Sequence, residues 1–158
     1  MRAKGFTLIE ILVVLIIIGI TIGFALLSFG DFGASRRATV SAEQFSTYIK
    51  LVQQQAILEM STLGVQVNQD NYRTFRLERD SWQLMPEKGI FHTRYFPENV
   101  IVNLQKAANT FKTPNIIIHS SGDITAFKLS FGTRKKSDII TIIARHDGQL
   151  IMQSPKSS

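Results

Sequence analysis

The segment KGFTLIEILVV, residues 4–14, joins a lysine, a glycine and a single carboxylate to the start of a long apolar run. From Phe6 to Phe29 the chain has 24 residues and only one charged side chain, that of Glu10. A helix needs about 20 apolar residues to cross a bilayer. Residues 6–29 therefore predict a transmembrane helix, and the rest of the chain has to be interpreted around this span.

A secretory signal that is removed after export explains this run less well. The apolar part of such a signal has about 7–15 residues and precedes a cleavage site with small residues. Here the run is longer, and Phe32 and Ala34 make a poor pair for the positions before a cut. We expect the span to be retained as an anchor. Lysine and arginine residues flank it on both sides, so their charge alone leaves its orientation open.

Glu10 is unusual because a carboxylate inside a membrane span is costly unless it is paired or reaches the interface. One interpretation is that Glu10, close to the start of the span, extends to the lipid headgroups. The other interpretation gives it a cationic partner. If the chain were cut after Gly5, the new amine of Phe6 would lie about one helical turn from Glu10, on the same helix or on a neighbouring one. Two charges that are each unfavourable alone would then neutralise each other.

The residues from Lys4 to Val14 closely resemble the prepilin signature of type IV pilins and of type II secretion pseudopilins. The resemblance implies that residues 1–5 are a leader. A prepilin peptidase would cleave between Gly5 and Phe6 and methylate the new amine of Phe6. The resemblance also implies that Glu10 pairs with the N-terminus of an adjacent subunit during filament assembly. It further implies a single-pass inner-membrane protein with its leader in the cytoplasm and its C-terminal domain in the periplasm.

Gly19 and Gly23 form a GxxxG pair inside the span. Small residues four apart let two helices approach closely in lipid, which predicts a helix-packing face. The competing interpretation is that these are two of the glycines that are common in membrane helices.

Residues 30–63 predict an amphipathic helix that continues from the span. No proline occurs before Pro86, while Gly30-Asp31-Phe32-Gly33 is the one expected weak point, a kink or a short melted stretch. Apolar side chains recur at helical spacing and predict a buried stripe: Ala38, Ala42, Phe45, Ile49, Val52, Ala56, Met60 and Leu63. Polar residues lie on the other side: Glu43, Thr47, Lys50 and Gln54. Gly64 is the expected C-terminal cap.

Residues 64–158 change to a period of two and predict short antiparallel strands. The expected strands are Val65–Val67, Tyr72–Leu77, Trp82–Leu84, Val100–Leu104, Ile116–His119, Ile124–Phe131, Ile139–Ala144 and Gln149–Met152. Turn residues separate them, at Asn68–Asn71, Ser120–Asp123, Gly132–Asp138 and His146–Gly148. The sequence thus predicts an α+β fold in which a long N-terminal helix packs on antiparallel β-sheets, and the prepilin resemblance implies that this fold is pilin-like.

The segment IIIHSSGDITAFKL, residues 116–129, resembles the strand–turn–strand hallmark of the minor pseudopilin H group. Residues 54–56, 63–65 and 82–84 are similar to that group as well. This chain departs from its pattern at three turn positions, with Ser120 and Ala126 where proline is usual and Asp123 where glutamate is usual. The resemblance implies two β-sheets against the helix.

The sequence offers no pattern for catalysis or metal binding. It has no cysteine, and its three histidines lack a compact ligand spacing: His92, His119 and His146. His146-Asp147-Gly148, between two strands, predicts a hairpin turn rather than an oriented base. Asn68–Asn71 lacks the length and the glutamate of a calcium loop. We expect no enzyme, no cofactor and no metal.

The net charge of +6 is mildly basic. Arg134, Lys135 and Lys136 stand in a polar turn, and three further cations lie in the same half of the chain: Lys112, Lys128 and Arg145. Such a patch could hold nucleic-acid phosphates, and minor type IV pilins that bind DNA share this fold class. A solvated loop is the competing interpretation, so we expect no nucleic-acid partner.

Together these features predict a minor pseudopilin, a structural component of the type II secretion pseudopilus and of its tip complex. It would help to export folded proteins across the outer membrane. The partners that the resemblance implies are other major and minor pseudopilins, the prepilin peptidase and the inner-membrane secretion platform. The alternative is a minor type IV pilin that binds DNA for uptake or takes part in pilus assembly.

Overall fold

A computed structural model describes residues 7–105 and 114–155, apart from the side chains of residues 27–32. The chain divides into two compact units, Met1–Ala34 and Ser35–Ser158. Within the first unit, Leu8–Leu26 is long and apolar enough to cross a membrane, with a mean hydropathy of 2.8 and no buried residue. A helix that is apolar on all sides needs an apolar environment, which a bilayer provides.

Helix α1 extends from Leu8 to Leu58. Its helical backbone is unbroken at residues 30–33, so the short melted stretch predicted there does not form. Each glycine costs about 1 kcal/mol in a helix interior. Helix-forming residues on both sides continue the hydrogen bonding through this weak point.

The end of α1 comes five residues earlier than the predicted Leu63. The N–H of Ser61 donates to the carbonyl of Ala56 (3.0 Å) and the N–H of Met60 donates to that of Ile57 (3.2 Å). This pair of bonds is a Schellman motif. Met60 occupies its left-handed position, with a φ of 48°, and its side chain is 87% exposed. The prediction that Met60 belongs to the buried stripe is therefore wrong.

Gly64 is not a helix cap, because it lies in strand β1 (Leu63–Val67). A Cβ atom at this position would lie 2.6 Å from Pro114 and 2.9 Å from the ring of Trp82. Real Cβ atoms do not come this close to other atoms. The glycine is needed so that Trp82 and Pro114 can pack directly on the strand.

The second unit contains two antiparallel sheets. Besides β1, their strands are β2 Asn71–Glu78, β3 Ser81–Leu84, β4 Arg94–Tyr95, β5 Ile101–Gln105, β6 Ile116–Ile118, β7 Phe127–Gly132, β8 Ile140–Ala144 and β9 Leu150–Gln153. The first sheet has the order β3-β2-β1-β6, with β4 also paired to β2, and the second has the order β5-β7-β8-β9. A short 3-10 helix, Gly89–Phe91, precedes β4. The predicted α+β, pilin-like fold is confirmed.

The core of this unit is the stripe of α1 together with the inner faces of both sheets. The predicted stripe residues from Ala38 to Ala56 are fully buried. The Phe45 ring contacts Tyr72 of the first sheet at a centroid distance of 5.0 Å. It also contacts Phe131 of the second sheet at 6.2 Å. Sequence analysis missed Tyr48, which is 1% exposed and lies one turn beyond Phe45.

One side chain of α1 connects two distant turns. The Gln53 amide Nε2 donates to the carbonyl of Gly122 (2.7 Å) and to that of Gly148 (3.3 Å). Gly122 and Gly148 both have positive φ, 92° and 83°. Two turns that were predicted from their glycines are thus held at the helix by a residue with no predicted role.

We predict that Met60→Gly raises the free energy of unfolding of the second unit by about 0.5–1 kcal/mol. A left-handed backbone costs a residue with a side chain about 1–2 kcal/mol, and the larger entropy of glycine in the unfolded chain offsets about 0.4–1 kcal/mol of that relief. Urea titration of the full chain in detergent, followed by the fluorescence of Trp82, measures the difference.

Gln54→Gly is the matched control, because the same residue is introduced at an exposed position inside the helix. Glycine in a helix interior lowers stability by about 0.5–1 kcal/mol. Equal effects of the two substitutions would contradict the assignment of Met60 to the left-handed position.

Candidate assembly site

The predicted cleavage residues Gly5 and Phe6 lie outside the described residues, which begin at Thr7. The N–H groups of Glu10 and Ile11 donate to the carbonyl of Thr7, at 3.0 Å and 3.3 Å. Glu10 is thus in the first turn of α1, and its side chain is exposed.

The position of Glu10 has an electrostatic consequence that sequence analysis overlooked. The first turn of a helix carries unpaired N–H groups and a partial positive charge. A carboxylate there is favoured by about 0.3–1 kcal/mol at an exposed site. This is less than the cost of a carboxylate in lipid. The helix start therefore relieves part of that cost and leaves Glu10 available to a cationic partner.

Gly19 and Gly23 are open on the surface of α1. Apart from the adjacent residues and the nearby backbone of the helix itself, no atom of the described residues lies within 4 Å of the place that a Cβ atom would occupy at either glycine. Around them every large apolar side chain from Leu8 to Leu26 is exposed, with exposed fractions from 45% to 84%. The described chain therefore presents an exposed apolar helix on which two glycines leave room for the approach of another helix.

A polar cluster of the second unit contains residues that the sequence did not single out. The Tyr48 and Thr74 hydroxyls lie 2.6 Å apart in a buried hydrogen bond. The Arg94 guanidinium lies over the Tyr48 ring, 5.2 Å from its centroid. Burial raises the pKa of Tyr48, and burial also raises the pKa of the neighbouring Tyr72 to about 12. Only β4 brings Arg94 here, and a strand of two residues has no detectable pattern.

The three cations of the predicted basic patch share one loop, whereas Arg145 lies apart from them. Arg134, Lys135 and Lys136 are exposed in the loop between β7 and β8, where the N–H of Thr133 donates to the carbonyl of Lys136 (2.7 Å). Arg145 follows the other end of β8. That strand separates it from the loop by about 17 Å at 3.3 Å per residue. Lys112 lies outside the described residues.

The described residues contain no group of three or more His, Asp or Glu side chains that could hold a metal ion. His92 Nδ1 bonds to the carbonyl of Gly89 at 2.7 Å. The predicted hairpin at His146–Gly148 is confirmed, since the N–H of Gly148 donates to the carbonyl of Arg145 (3.0 Å). Asp147 accepts a bond from the N–H of Gln149 instead of orienting a histidine.

Comparison with known proteins gives one match for the N-terminal segment and others for most of the chain. Residues 1–26 match the prokaryotic N-terminal methylation motif. The type II secretion system protein H of Pseudomonas aeruginosa is 31% identical over 149 residues, covering 85% of this chain and 86% of that protein. This chain belongs to the type II secretion system protein H family. The family member of Klebsiella pneumoniae is 28% identical over 152 residues, covering 84% of this chain and 88% of that protein.

Solved structures support the fold of this family member. The minor pseudopilin EpsH of Vibrio cholerae has a TM-score of 0.66 at 21% identity, covering 77% of this chain and 99% of that one. The solution structure of Escherichia coli GspH has a TM-score of 0.63 at 18% identity, covering 79% and 93%. The apolar helix and the family together indicate a membrane-anchored protein. The DNA-uptake alternative is not favoured, because these relatives are secretion proteins.

We predict that the stability of the second unit falls as the pH is raised from about 10 to about 12. The pKa of Tyr72 is raised to about 12 in the folded protein, whereas an unfolded tyrosine loses its proton near pH 10. In this interval the unfolded state binds fewer protons than the folded state, so a rise in pH favours unfolding. Tyr72→Phe should reduce the slope of the free energy of unfolding against pH, measured by urea titration. An unchanged slope would contradict the assignment to Tyr72.

Proposed function

We propose that this protein acts as a minor pseudopilin, a non-catalytic structural subunit of the type II secretion pseudopilus. The observation that carries the proposal is a family match over most of the chain together with the methylation motif at residues 1–26. In this role it takes part in the tip complex and helps folded proteins to cross the outer membrane. Its partners are other major and minor pseudopilins, the prepilin peptidase and the inner-membrane secretion platform.

The proposed topology rests on the prepilin resemblance, because the charges that flank the span leave its orientation open. Residues 6–29 cross the inner membrane once, with the five-residue leader in the cytoplasm. The peptidase cuts between Gly5 and Phe6, where the absence of a side chain on glycine lets the backbone enter a narrow protease groove. The second unit, with its polar surface and two sheets, is then in the periplasm.

Cleavage creates the cation that Glu10 needs. The new amine of Phe6, which becomes methylated, is a positive charge about one helical turn from the carboxylate. In lipid, an ion pair between Glu10 and the N-terminus of an adjacent subunit removes two unfavourable isolated charges at once. This pair sets the register in which a new subunit joins its neighbour.

Gly19 and Gly23 extend the same contact along the helix. Their open positions let a neighbouring helix come close, and packing of small residues is a main source of helix association in lipid. In this proposal the apolar helix supplies the filament contact, and the second unit supplies the specific surfaces.

Gly5→Leu should block processing. The side chain obstructs the protease groove, so mass spectrometry of the membrane form should show a chain that begins at Met1, whereas the unsubstituted protein begins at methylated Phe6. Ala3→Leu is the matched control, since it adds the same side chain two residues from the bond, and it should be processed. An unsubstituted protein that retains its leader would contradict the proposed function.

Glu10→Gln should be processed normally and should enter filaments about tenfold less, which corresponds to a loss of about 1.4 kcal/mol. The amide keeps the shape of the side chain and removes the charge that pairs with the amine. The measurement is the fraction of the protein recovered with sheared filaments, and Glu98→Gln is the control because it makes the same change at an exposed residue of the second unit. Equal recovery of both variants would contradict the charge pair.

A further inference from the structure

A groove with a volume of about 320 Å³ lies between α1 and the segment that contains β4. Five of its lining residues belong to α1 and the sixth to β4: Glu43, Gln44, Thr47, Tyr48, Leu51 and Arg94. All of them are in the second unit. Glu43, Gln44 and Thr47 are exposed, so the groove is open to an approaching molecule.

Arg94 is the cation of this groove and is incompletely satisfied. Its guanidinium stacks over the Tyr48 ring and interacts with the Tyr72 side chain, while its buried Nε has no hydrogen-bond partner in the described part of the chain. Within the same residues no carboxylate lies within 4.0 Å of it, since the ion pair found there joins Arg76 to Glu59. A buried donor without a partner is unfavourable, and more so when the group is charged.

The acids close to Arg94 in sequence or in space are engaged or remain apart from it. Glu87, on the loop before β4, accepts bonds from the N–H of Thr93 (2.7 Å) and from its hydroxyl. Glu43 lines the groove and makes no ion pair with Arg94. Thr47 uses its hydroxyl hydrogen on the carbonyl of Glu43 (2.9 Å). The charge of Arg94 therefore has no carboxylate partner within the described residues of this groove.

The stacking of Arg94 on Tyr48 fixes the plane of the guanidinium before any ligand arrives. A planar, preorganised guanidinium matches a carboxylate with two parallel hydrogen bonds, and charged bonds of this kind are roughly twice as strong as neutral ones. Glu43 in the same groove repels a small free anion. A carboxylate that is carried by a protein chain can enter between the two charges and place other polar atoms near Glu43.

We propose that the groove binds an aspartate or glutamate side chain of a neighbouring pseudopilin, with Arg94 as the residue that receives it. The inference rests on the proposed function, because the neighbour is a subunit of the same filament. Its occupant follows from charge complementarity and from the place of the groove. One wall of the groove is α1, so a subunit that packs along the exposed side of this helix passes over Arg94.

Crosslinking in the intact secretion system tests the proposal. The full chain carries a photoreactive benzoylphenylalanine at Thr47, on the exposed wall of the groove. After irradiation, mass spectrometry should identify a peptide of another pseudopilin that contains an aspartate or glutamate. Arg94→Glu should lower the yield of this product about tenfold or more, and Arg94→Lys should lower it less. Arg145→Glu, at an exposed hairpin, is the control and should leave the yield unchanged.

A charge exchange completes the test. Replacement of the crosslinked acidic residue by arginine should restore the product in the Arg94→Glu chain. Arg94→Gln keeps a polar side chain of similar reach without reversing the charge, and it should also lower the yield, so the result does not depend on the folding of one variant. A yield that is insensitive to Arg94, or a crosslinked peptide without an acidic residue, would overturn the proposal. Methylated Phe6 and filament recovery are measured in the same samples, and their absence would instead count against the proposed function.

Discussion

Burial of one stripe of α1 against two sheets is the interaction on which the second unit depends. Phe45 contacts aromatic rings of both sheets, and the stripe from Ala38 to Ala56 has no exposed member. Backbone hydrogen bonds join the strands within each sheet. The two sheets meet the helix through side chains, which form one common core. Gln53 adds a polar connection, because its amide binds the carbonyls of the turns at Gly122 and Gly148. Removal of the stripe would leave two sheets with apolar faces and no common partner.

The same helix has to satisfy two different surroundings along its length. Leu8–Leu26 is apolar on every side, and the described chain buries none of it. The later part of α1 has one buried stripe and a polar exposed side. In lipid, the hydrophobic effect does not drive helices together, because the lipid tails are as apolar as the side chains. Association of helices in a membrane therefore relies on close packing of small residues and on polar groups. In the proposed assembly, the polar side of α1 and the sheet surfaces supply the specific contacts in water.

In the proposed assembly, two charged groups are incompletely paired within the subunit and are neutralised by a neighbour. Glu10 has an electrostatic environment that lessens its cost without neutralising it, and Arg94 stacks on Tyr48 without a carboxylate among the described residues. A charge that is held in place but incompletely paired within the subunit gains free energy when a neighbour supplies the counter-charge. Both groups lie on α1 or against it, so a single helix organises the contacts that we propose for the membrane and for the periplasm.

Local patterns in the sequence determined most of the fold. The helix from the span through the stripe, the antiparallel strands and the glycine turns all follow from the spacing of apolar residues and from turn chemistry, because these depend on residues close together in the chain. The prepilin motif is equally local, and the match at residues 1–26 agrees with it. The end of α1 could not be derived in this way: Met60 has a left-handed backbone that its residue type disfavours, and Gly64 lies in a strand because Trp82 and Pro114 pack on it.

Only the tertiary structure decided what meets across long distances in the chain. Arg94 reaches Tyr48 through a strand of two residues, which is too short for any periodicity to reveal. Gln53 joins turns that are 69 and 95 residues away, and nothing in its neighbourhood indicates which carbonyls it will meet. Conversely, the cations at Arg134–Lys136 and Arg145, which share one half of the sequence, are separated by the length of β8. The physical reason is the same in each case: spacing along the chain fixes the local backbone, whereas the pairing of strands and the packing of the helix fix which side chains become neighbours.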